Sequence, residues 1–382
     1  MTLSLSHALD RVAPSGIRHF AQLANETPGC VSLTMGEPGE DTPAALRQAA
    51  SDELAAGVTH YAPTCGYDFL REAISAYMRS RGEDYAPEQT IVTNGATEAV
   101  LCALATVLDE GDEVIIPQPA FILYEEAALL VRAEPVHLDT APDAFQVRRE
   151  SLEAACGPRT KAIVITSPNN PTGCVLDAES LDAVAEAAAA RDLFVICDDV
   201  YEQLSFSDGF EGFAQRHPEL ADRTIVVNSF SKPYAMTGWR LGWLAASPEV
   251  TEALALVHQY AVCCEASFLQ RAAAEALSSD VSAMRESYRA RRDRTVQAVK
   301  AMGLPLAMPE GAFYAFPSIA ELGVGSEEFC ERAIREAGVA VVPGTCFGAE
   351  GYVRISYSVA DDALDEGLRR LAGFVGRLRA EA

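Results

Sequence analysis

The chain has no apolar run long enough to cross a membrane, although 49% of its 382 residues are apolar. It is also poor in basic residues, since 30 lysines and arginines stand against 55 aspartates and glutamates, giving a net charge of −25. That balance argues against a nucleic-acid surface. Because no acidic block stands apart as a tail, we interpret the acidity as a solvated surface. Residues 1–10 lack a basic region followed by an apolar core, so we expect no secretory signal.

Cysteine pairs typical of metal or redox sites are missing too. The ten cysteines include no Cys-x-x-Cys spacing, and the single adjacent pair, Cys263-Cys264, suits neither purpose. Several cysteines lie inside apolar runs, where cysteine behaves as a small hydrophobe. We therefore expect a protein of the reducing cytoplasm. The chain also lacks the Gly-x-Gly-x-x-Gly turn of a dinucleotide site, which counts against a nicotinamide-dependent enzyme.

Short β-branched runs alternate with alanine-rich helical segments between residue 90 and about residue 246. The runs cover residues 91–93, 114–116, 135–138, 162–165, 193–196 and 224–227. Near-continuous apolar strands between helices predict an α/β fold with a mostly parallel sheet covered by helices on both faces. Ligands of such sheets bind at the carboxyl ends of the strands. Residues 250–277 and 281–302 then predict two long helices, and the chain length favours two domains.

One strand end carries an unusual charge. Lys232 follows the run 224–227 closely and is flanked by the hydroxyls of Ser229 and Ser231. A lysine in that position is typical of an amine that reacts with a carbonyl, and the planar fork of Arg240 suits a phosphate. An isolated Ser-x-Ser-Lys is more often an ordinary surface loop, but the whole stretch 229–242 favours function.

This stretch resembles the lysine-attachment signature of class I/II aminotransferases, the aspartate-aminotransferase-like enzymes of fold type I that use pyridoxal 5′-phosphate. The resemblance covers roughly residues 15–378. It implies that Lys232 attaches the cofactor and that Ser229, Ser231 and Arg240 bind it. It also implies a large cofactor domain over residues 46–285 and a smaller α/β domain formed by the N-terminal segment 1–45 and the C-terminal segment 286–382. A homodimer with shared active sites is a further implication.

Two more loops follow predicted strands. Gly95, Ala96 and Thr97 open a helix whose free N–H groups and positive dipole end suit a phosphate, although glycine is common in such turns. Asn170 precedes a proline in the loop after residues 162–165, where asparagine is often only a turn former. The loop is close to the Asn-Pro-x-Gly motif of the family, which implies that Asn170 contacts the ring oxygen of the cofactor and the substrate.

Asp198 follows the apolar strand at residues 193–196, where a carboxylate needs a cationic partner. The protonated pyridine nitrogen of pyridoxal phosphate is such a partner, so we expect a catalytic role for Asp198. The resemblance implies that Tyr201 bonds the same ring oxygen as Asn170 and also takes part in catalysis. Asp198 and Asp199 together suggest a metal site, but no histidine accompanies them, and we expect no metal.

The remaining candidates rest mainly on the resemblance. By motif position Phe121 covers the cofactor ring and Tyr124 faces the substrate, although both also fit a core. Arg354 interrupts an apolar strand, where it needs either a structural acid or the α-carboxylate of a substrate. The family favours the substrate carboxylate, with Gly36 beside it. Tyr61 is expected to reach the cofactor phosphate of the partner subunit.

These residues predict an aminotransferase that moves an amino group from an L-amino acid to a 2-oxo acid by a ping-pong mechanism. The segment 258–264 suggests a donor with a neutral or aromatic side chain. A carbon–sulfur lyase acting by β-elimination uses the same residues and remains an alternative. A cofactor-sensing regulator needs a DNA-binding module, and we expect the roughly 30 residues before the first strand to be too few for one.

Overall fold

The computed structural model describes residues 4–207 and 209–381, and most of its strands belong to one large sheet. The strands are β1 (Val31–Ser32), β2 (Thr90–Thr93), β3 (Glu113–Gln118), β4 (Glu134–Asp139), β5 (Thr160–Thr166), β6 (Phe194–Asp198), β7 (Thr224–Ser229), β8 (Gly242–Ala245), β9 (Tyr314–Ala315), β10 (Val339–Ala340), β11 (Val342–Pro343) and β12 (Val353–Ser356). The large sheet has seven strands in the order β2-β8-β7-β6-β5-β3-β4. Its strands are parallel except for β8, which is antiparallel to both neighbours. The predicted mostly parallel sheet is confirmed.

Helices cover both faces of this sheet. The helices of the described residues are α1 (Gly16–Glu26), α2 (Ala44–Ala55), α3 (Asp68–Ser80), α4 (Gly95–Val107), α5 (Leu123–Leu130), α6 (Arg149–Ala155), α7 (Ala178–Arg191), α8 (Phe213–Arg216), α9 (Pro248–Ala261), α10 (Gln270–Ala276), α11 (Ser282–Ala301), α12 (Ser326–Arg332) and α13 (Asp361–Glu381). Helices α2 to α10 pack on the large sheet, whereas α1 and α11 to α13 pack in a second, smaller body. Side chains alternate along the buried strands, so Val164 packs with α4 and α5 while Ile163 and Ile165 pack with α6 and α7. Burial on both faces explains why the strands are almost continuously apolar.

A second, smaller body is built from both ends of the chain. The strands β11, β12 and β9 form an antiparallel sheet, and β1 pairs in parallel with β10 through Val31 and Val339. Its core combines Phe20 of α1 with Phe329 of α12 and Phe374 of α13. The N-terminal segment therefore packs with the C-terminal one, while domain boundaries at residues 45 and 285 remain predictions. In the described part of the chain, no helix is long and apolar enough to span a membrane.

The prediction of a single helix over residues 250–277 is wrong. The chain leaves the helical path after α9, because Cys263 has a φ of +73°, outside the right-handed helical region. It resumes as α10 after a short turn in which the Ser267 hydroxyl donates to the Val58 carbonyl at 3.0 Å. Contacts this distant in sequence override local helical preference.

Candidate active site

A cavity of about 710 Å³ opens where the carboxyl edge of the large sheet meets the small antiparallel sheet. Most residues that the sequence singled out line it. They are Gly36, Ala96, Thr97, Phe121, Tyr124, Asn170, Asp198, Tyr201, Ser229, Ser231, Lys232, Arg240 and Arg354. Gly95 immediately precedes Ala96 and Thr97, which line the cavity, and Tyr61 lies outside the cavity on the surface.

Lys232 is held in the cavity by the loop after β7. Its Nζ donates a hydrogen bond to the Gly36 carbonyl at 2.6 Å and lies 5.8 Å from the ring centre of Tyr201. Loss of contact with water lowers the pKa of Lys232 to about 8. Arg354 and Arg240 add to this decrease by charge repulsion, whereas Glu37 and Asp198 oppose it. The amine is therefore partly neutral near physiological pH.

Asp198 is the last residue of β6 and is almost completely buried. The Tyr124 hydroxyl donates to its Oδ2 at 2.7 Å and itself accepts a hydrogen bond from the Thr166 hydroxyl. Burial raises the pKa of Asp198 to about 6, although the Tyr124 bond, the Val200 N–H and the charge of Lys232 lower it. A carboxylate supported in this way is ready to pair with a cationic ring nitrogen.

The opposite end of the cavity presents donors suited to a phosphate. Gly95 begins α4 with a φ of +69°, and Ala96 and Thr97 in the first turn of this 13-residue helix line the cavity, where the N-terminal end of a helix favours an anion. A side chain at Gly95 would lie 2.8 Å from the Arg240 guanidinium, so glycine lets the arginine approach the turn. The Ser229 hydroxyl accepts the Ser231 N–H at 3.0 Å, which ties the two serines together.

Arg354 is buried on β12, with 1% of its surface exposed. It donates to Asn170 Oδ1 at 2.8 Å and to the Thr34 carbonyl at 2.9 Å, and burial lowers its pKa. Its guanidinium has no carboxylate partner among residues 4–207 and 209–381, and its Nε lacks any partner there. An arginine so placed is available to a carboxylate that enters from the cavity.

Sequence reasoning missed Tyr314. Its hydroxyl lies 2.9 Å from the Tyr201 hydroxyl, and its ring lies 4.5 Å from the Arg354 guanidinium carbon. The residue sits in an otherwise apolar strand, and that single hydroxyl was the only signal for it. Arg18 and Glu37 were also missed, because nothing in their local sequence distinguishes them from surface charges.

Three aromatic candidates occupy different positions. Phe121 lines the cavity and contacts the ring of Tyr124 edge-on, with 6.3 Å between ring centres. The Tyr124 hydroxyl is directed at Asp198, so its contact with a substrate remains a prediction. Tyr61 is 86% exposed and lies beside Cys264 and Phe268 in a separate surface depression. Its proposed contact with a partner subunit also remains a prediction.

The segment thought to select the substrate does not line this cavity. His258 is fully buried, where it pairs with Glu98 at 3.0 Å and with the Thr64 carbonyl at 2.9 Å. Tyr260 is 82% exposed on the surface of α9. Within its own chain, the substrate pocket is therefore formed by other residues.

A reactive amine facing a buried carboxylate suits a cofactor that brings an aldehyde and a basic ring nitrogen, as pyridoxal phosphate does. The arrangement defines the class of enzymes that carry such a cofactor on a lysine. Residues 28–371 match the family model described as aminotransferase class I and II, and the chain belongs to that family.

The chain is similar to known proteins along almost its whole length. A putative aminotransferase YugH of Bacillus subtilis is 41% identical over 98% of this chain and 99% of its own length. An aromatic-amino-acid aminotransferase 2 of Thermococcus litoralis is 40% identical over 97% of each chain. The structure of aspartate aminotransferase from Thermus thermophilus with maleate matches with a TM-score of 0.92 and 36% identity, over 98% of this chain and 100% of that one.

The chain is therefore a fold-type I aminotransferase that depends on pyridoxal phosphate. Amino-group transfer is the activity that these relatives support, and the lyase alternative is not favoured.

Proposed function

We propose that this aminotransferase moves an amino group from an L-amino acid with a neutral or aromatic side chain to a 2-oxo acid, in two half-reactions that use one cavity. The observation that carries the proposal is the Lys232 amine, which has a pKa of about 8 and shares its cavity with Asp198 and Arg354. An amine that is partly neutral attacks a carbonyl and accepts a proton, whereas an ordinary lysine is fully protonated.

The residues of the cavity fit pyridoxal phosphate at its phosphate end. The N–H groups of Ala96 and Thr97 at the start of α4, the Ser231 hydroxyl and the Arg240 guanidinium would together offer the donors that a dianionic phosphate needs. The Ser229 hydroxyl lines the same cavity and donates to the Leu241 carbonyl at 3.1 Å. The close approach of Arg240 to Gly95, which any larger residue would obstruct, supports this assignment.

The other end of the cavity fits the ring. Asp198 would pair with the pyridine nitrogen of the bound cofactor, Asn170 and Tyr201 would bond its ring oxygen, and Phe121 would cover one ring face, since all four side chains line the cavity. When bound, the cofactor supplies an aldehyde and a ring that withdraws electrons from the substrate. Tyr124 keeps the carboxylate of Asp198 oriented through its 2.7 Å hydrogen bond.

Lys232 and Arg354 act on the amino acid itself. Arg354 binds the α-carboxylate with its two terminal nitrogens, while Asn170 and the Thr34 carbonyl hold the guanidinium in place. The Gly36 backbone lies beside this carboxylate and accepts a hydrogen bond from Lys232. Lys232 Nζ takes the proton from the substrate Cα, because its lowered pKa permits it to act as a base and then as an acid.

The apolar part of the cavity supports a neutral or aromatic donor. Ile17, Phe121, Leu123 and Val200 line it together, and an apolar side chain gains free energy when it leaves water for such surfaces. The similarity to an aromatic-amino-acid aminotransferase supports the same preference for the donor.

The decisive experiment is an absorbance spectrum of the purified holoenzyme before and after single amino acids are added. We expect a visible cofactor band that moves toward the near ultraviolet with phenylalanine, methionine or alanine, and release of the matching 2-oxo acid. Lys232→Ala should lose the shift. Release of ammonia without any need for an acceptor would favour the lyase, and a shift confined to aspartate and glutamate would refute the donor preference.

We further propose a homodimer in which Tyr61 completes the phosphate site of the partner subunit. The 86% exposure of this aromatic ring, beside a depression of about 510 Å³, supports a contact with a second copy. Sedimentation should give the mass of two chains, and Tyr61→Ala should weaken cofactor retention in dialysis. A monomer that retains its cofactor would contradict the proposal.

The compartment is also a proposal. All ten cysteines are free, and five of them lie partly exposed, which supports a reducing environment such as the cytoplasm. Cell fractionation would test this directly, and recovery of the enzyme outside the cytoplasmic fraction would contradict it.

A further inference from the structure

His258 is a histidine that the proposed reaction does not use. It lies on α9, and 0% of its side chain is exposed. Leu254, about one turn earlier on the same helix, belongs to the same apolar core as Val100 and Leu104 of α4. The ring of His258 is therefore held against α4, the helix whose first turn lines the phosphate end of the cavity.

Both ring nitrogens of His258 face an oxygen that accepts hydrogen bonds. Nδ1 lies 3.0 Å from Glu98 Oε1, and Nε2 lies 2.9 Å from the Thr64 carbonyl oxygen. A carbonyl has no proton to donate, and the Glu98 carboxylate also accepts the Asn94 N–H and the Cys102 thiol. Each ring nitrogen must then supply its own proton, which only the doubly protonated imidazolium does. Burial lowers the pKa of His258, but the bonds to Glu98 and Thr64 outweigh it and raise the pKa overall.

Glu98 brings a negative charge to the helix turn that lines the phosphate end of the cavity. It directly follows Thr97 in the first turn of α4 and does not itself line the cavity. A carboxylate at a helix N-terminus interacts well with the helix dipole, but it repels a dianionic phosphate bound at the same end. A second acid near His258 is Glu265. Burial and the charge of Glu98 raise the pKa of Glu265 to about 7, so its own negative charge is only partial.

We propose that His258 is a positioning residue whose imidazolium neutralises Glu98 and thereby allows the start of α4 to bind the phosphate of the cofactor. The inference rests on the proposed function, in which this helix end binds the phosphate, and it adds a buried residue outside the cavity to the cofactor site. Glu98 stabilises the start of α4 because its Oε2 accepts the Asn94 N–H at 3.0 Å. The imidazolium lets the helix retain this hydrogen bond without repelling an anion.

The test compares two ligands of the full-length protein after its cofactor has been removed, pyridoxal phosphate and pyridoxal, which lacks the phosphate. His258→Gln should weaken pyridoxal phosphate about tenfold, because the charge of Glu98 is then uncompensated, and should change the affinity for pyridoxal less than about twofold. Adding Glu98→Gln to this variant should restore the affinity to within about threefold of the unmodified protein, because the acid that repels the phosphate is then also removed.

His217→Gln is the matched control. The ring of His217 also lies between two acceptors, with Nε2 at 3.0 Å from Asp182 and Nδ1 at 3.0 Å from Glu219, and this histidine does not line the cavity. The His217→Gln variant should bind both ligands as the unmodified protein does.

Nitrogen NMR of the holoenzyme would examine the ring of His258 directly, with the His258→Gln spectrum identifying its signals. Both ring nitrogens should carry a proton at about pH 7.5, where an ordinary histidine is about nine-tenths neutral. A neutral ring, an equal loss of affinity for both ligands in His258→Gln, or a double variant as weak as His258→Gln would each overturn the inference. If the unmodified protein binds the two ligands equally, the proposed phosphate site itself fails, and the inference fails with it.

Discussion

Two adjacent carboxylates at the end of β6 lie in different surroundings. Asp198 and Asp199 are each 3% exposed, but only Asp198 lines the cavity that holds Lys232. Asp199 belongs instead to a buried acidic cluster with Glu83, Glu202 and a single cation, Arg81. The Asp199 Oδ2 atom has no hydrogen-bond partner in the part of the chain that the structure describes.

The acidic cluster is organised around Glu202. Arg81 Nε lies 2.8 Å from Glu202 Oε2, and the Tyr77 hydroxyl donates to Oε1 at 2.5 Å. Burial, and next the charge of Glu202, raise the pKa of Glu83 to about 8 against the opposing charge of Arg81. Burial and the neighbouring acids likewise raise the pKa of Asp199 well above its ordinary value.

The contrast between Asp198 and Asp199 shows that burial alone does not make a carboxylate functional. Both carboxylates have a raised pKa, a property often used to find active sites. Asp198 differs because it lines a cavity that has room for a ligand and also holds the Lys232 amine. Asp199 has an arginine of its own chain nearby and does not line the cavity that holds Lys232. Access, more than the size of a pKa shift, identifies the functional carboxylate.

The largest difference in activity should appear when Asp198 and Asp199 are each replaced by asparagine, which has the same shape and no charge. Asp198→Asn removes the negative charge that supports the ring nitrogen of the cofactor, so kcat/KM should fall about 1,000-fold. Asp199→Asn should change kcat/KM by less than about threefold, because Asp199 does not face the cavity. Steady-state kinetics of the two holoenzymes would decide. Similar losses in both variants would show that the acidic cluster takes part in catalysis.

A second prediction concerns stability rather than activity. Arg81→Gln removes the cation of this cluster and leaves the buried carboxylate of Glu202 unpaired, and it should lower the free energy of unfolding by about 2–3 kcal/mol, a value reduced for the partial exposure of Arg81. Urea denaturation would measure it. Arg79→Gln is the matched control, because the Arg79–Asp84 pair is exposed and should be worth less than about 0.5 kcal/mol. Equal losses of unfolding free energy in the two variants would contradict this prediction.

A smaller effect is expected from Tyr124→Phe. The Tyr124 hydroxyl lowers the pKa of Asp198, so its removal should raise that pKa and move the acidic limb of the kcat/KM profile to higher pH. The rate near pH 7 should fall about tenfold, as for the loss of one charge-assisted hydrogen bond. An acidic limb that moves to lower pH, or not at all, would be inconsistent with this role.

The last prediction concerns how the stability of the protein depends on pH. The pKa of Glu83 is about 8 when folded against an ordinary 4.5, so the folded state binds more protons between these values. Glu83 therefore contributes stability below about pH 4.5 that is lost as the pH rises toward 8. Glu83→Gln should be more stable than the unmodified protein above pH 8, and the difference should shrink toward pH 5. Thermal unfolding at several pH values would measure this, with the exposed Glu88→Gln as control.

Part of this molecule could be read from the sequence. The apolar runs predicted the strands of the large sheet, because strands buried on both faces must be apolar throughout. The break after α9 could not be predicted, since the segment between α9 and α10 includes a hydrogen bond from Ser267 to Val58, 209 residues away in the chain. Tyr314 and Arg18 could not be predicted as residues of the cavity either, because the residues around them come from other segments of the chain.

The sequence by itself determined which chemical groups stand at which strand ends, because motif and strand adjoin along the chain. It placed Lys232 after β7 and Asp198 at the end of β6 in this way. Only the tertiary structure decided which groups share a cavity. Asn170 and Arg354 are 184 residues apart and meet at 2.8 Å because two bodies of the protein pack together. The tertiary structure likewise placed Asp198 in the cavity and Asp199 near Arg81, a difference that two adjacent residues of one type do not reveal in the sequence.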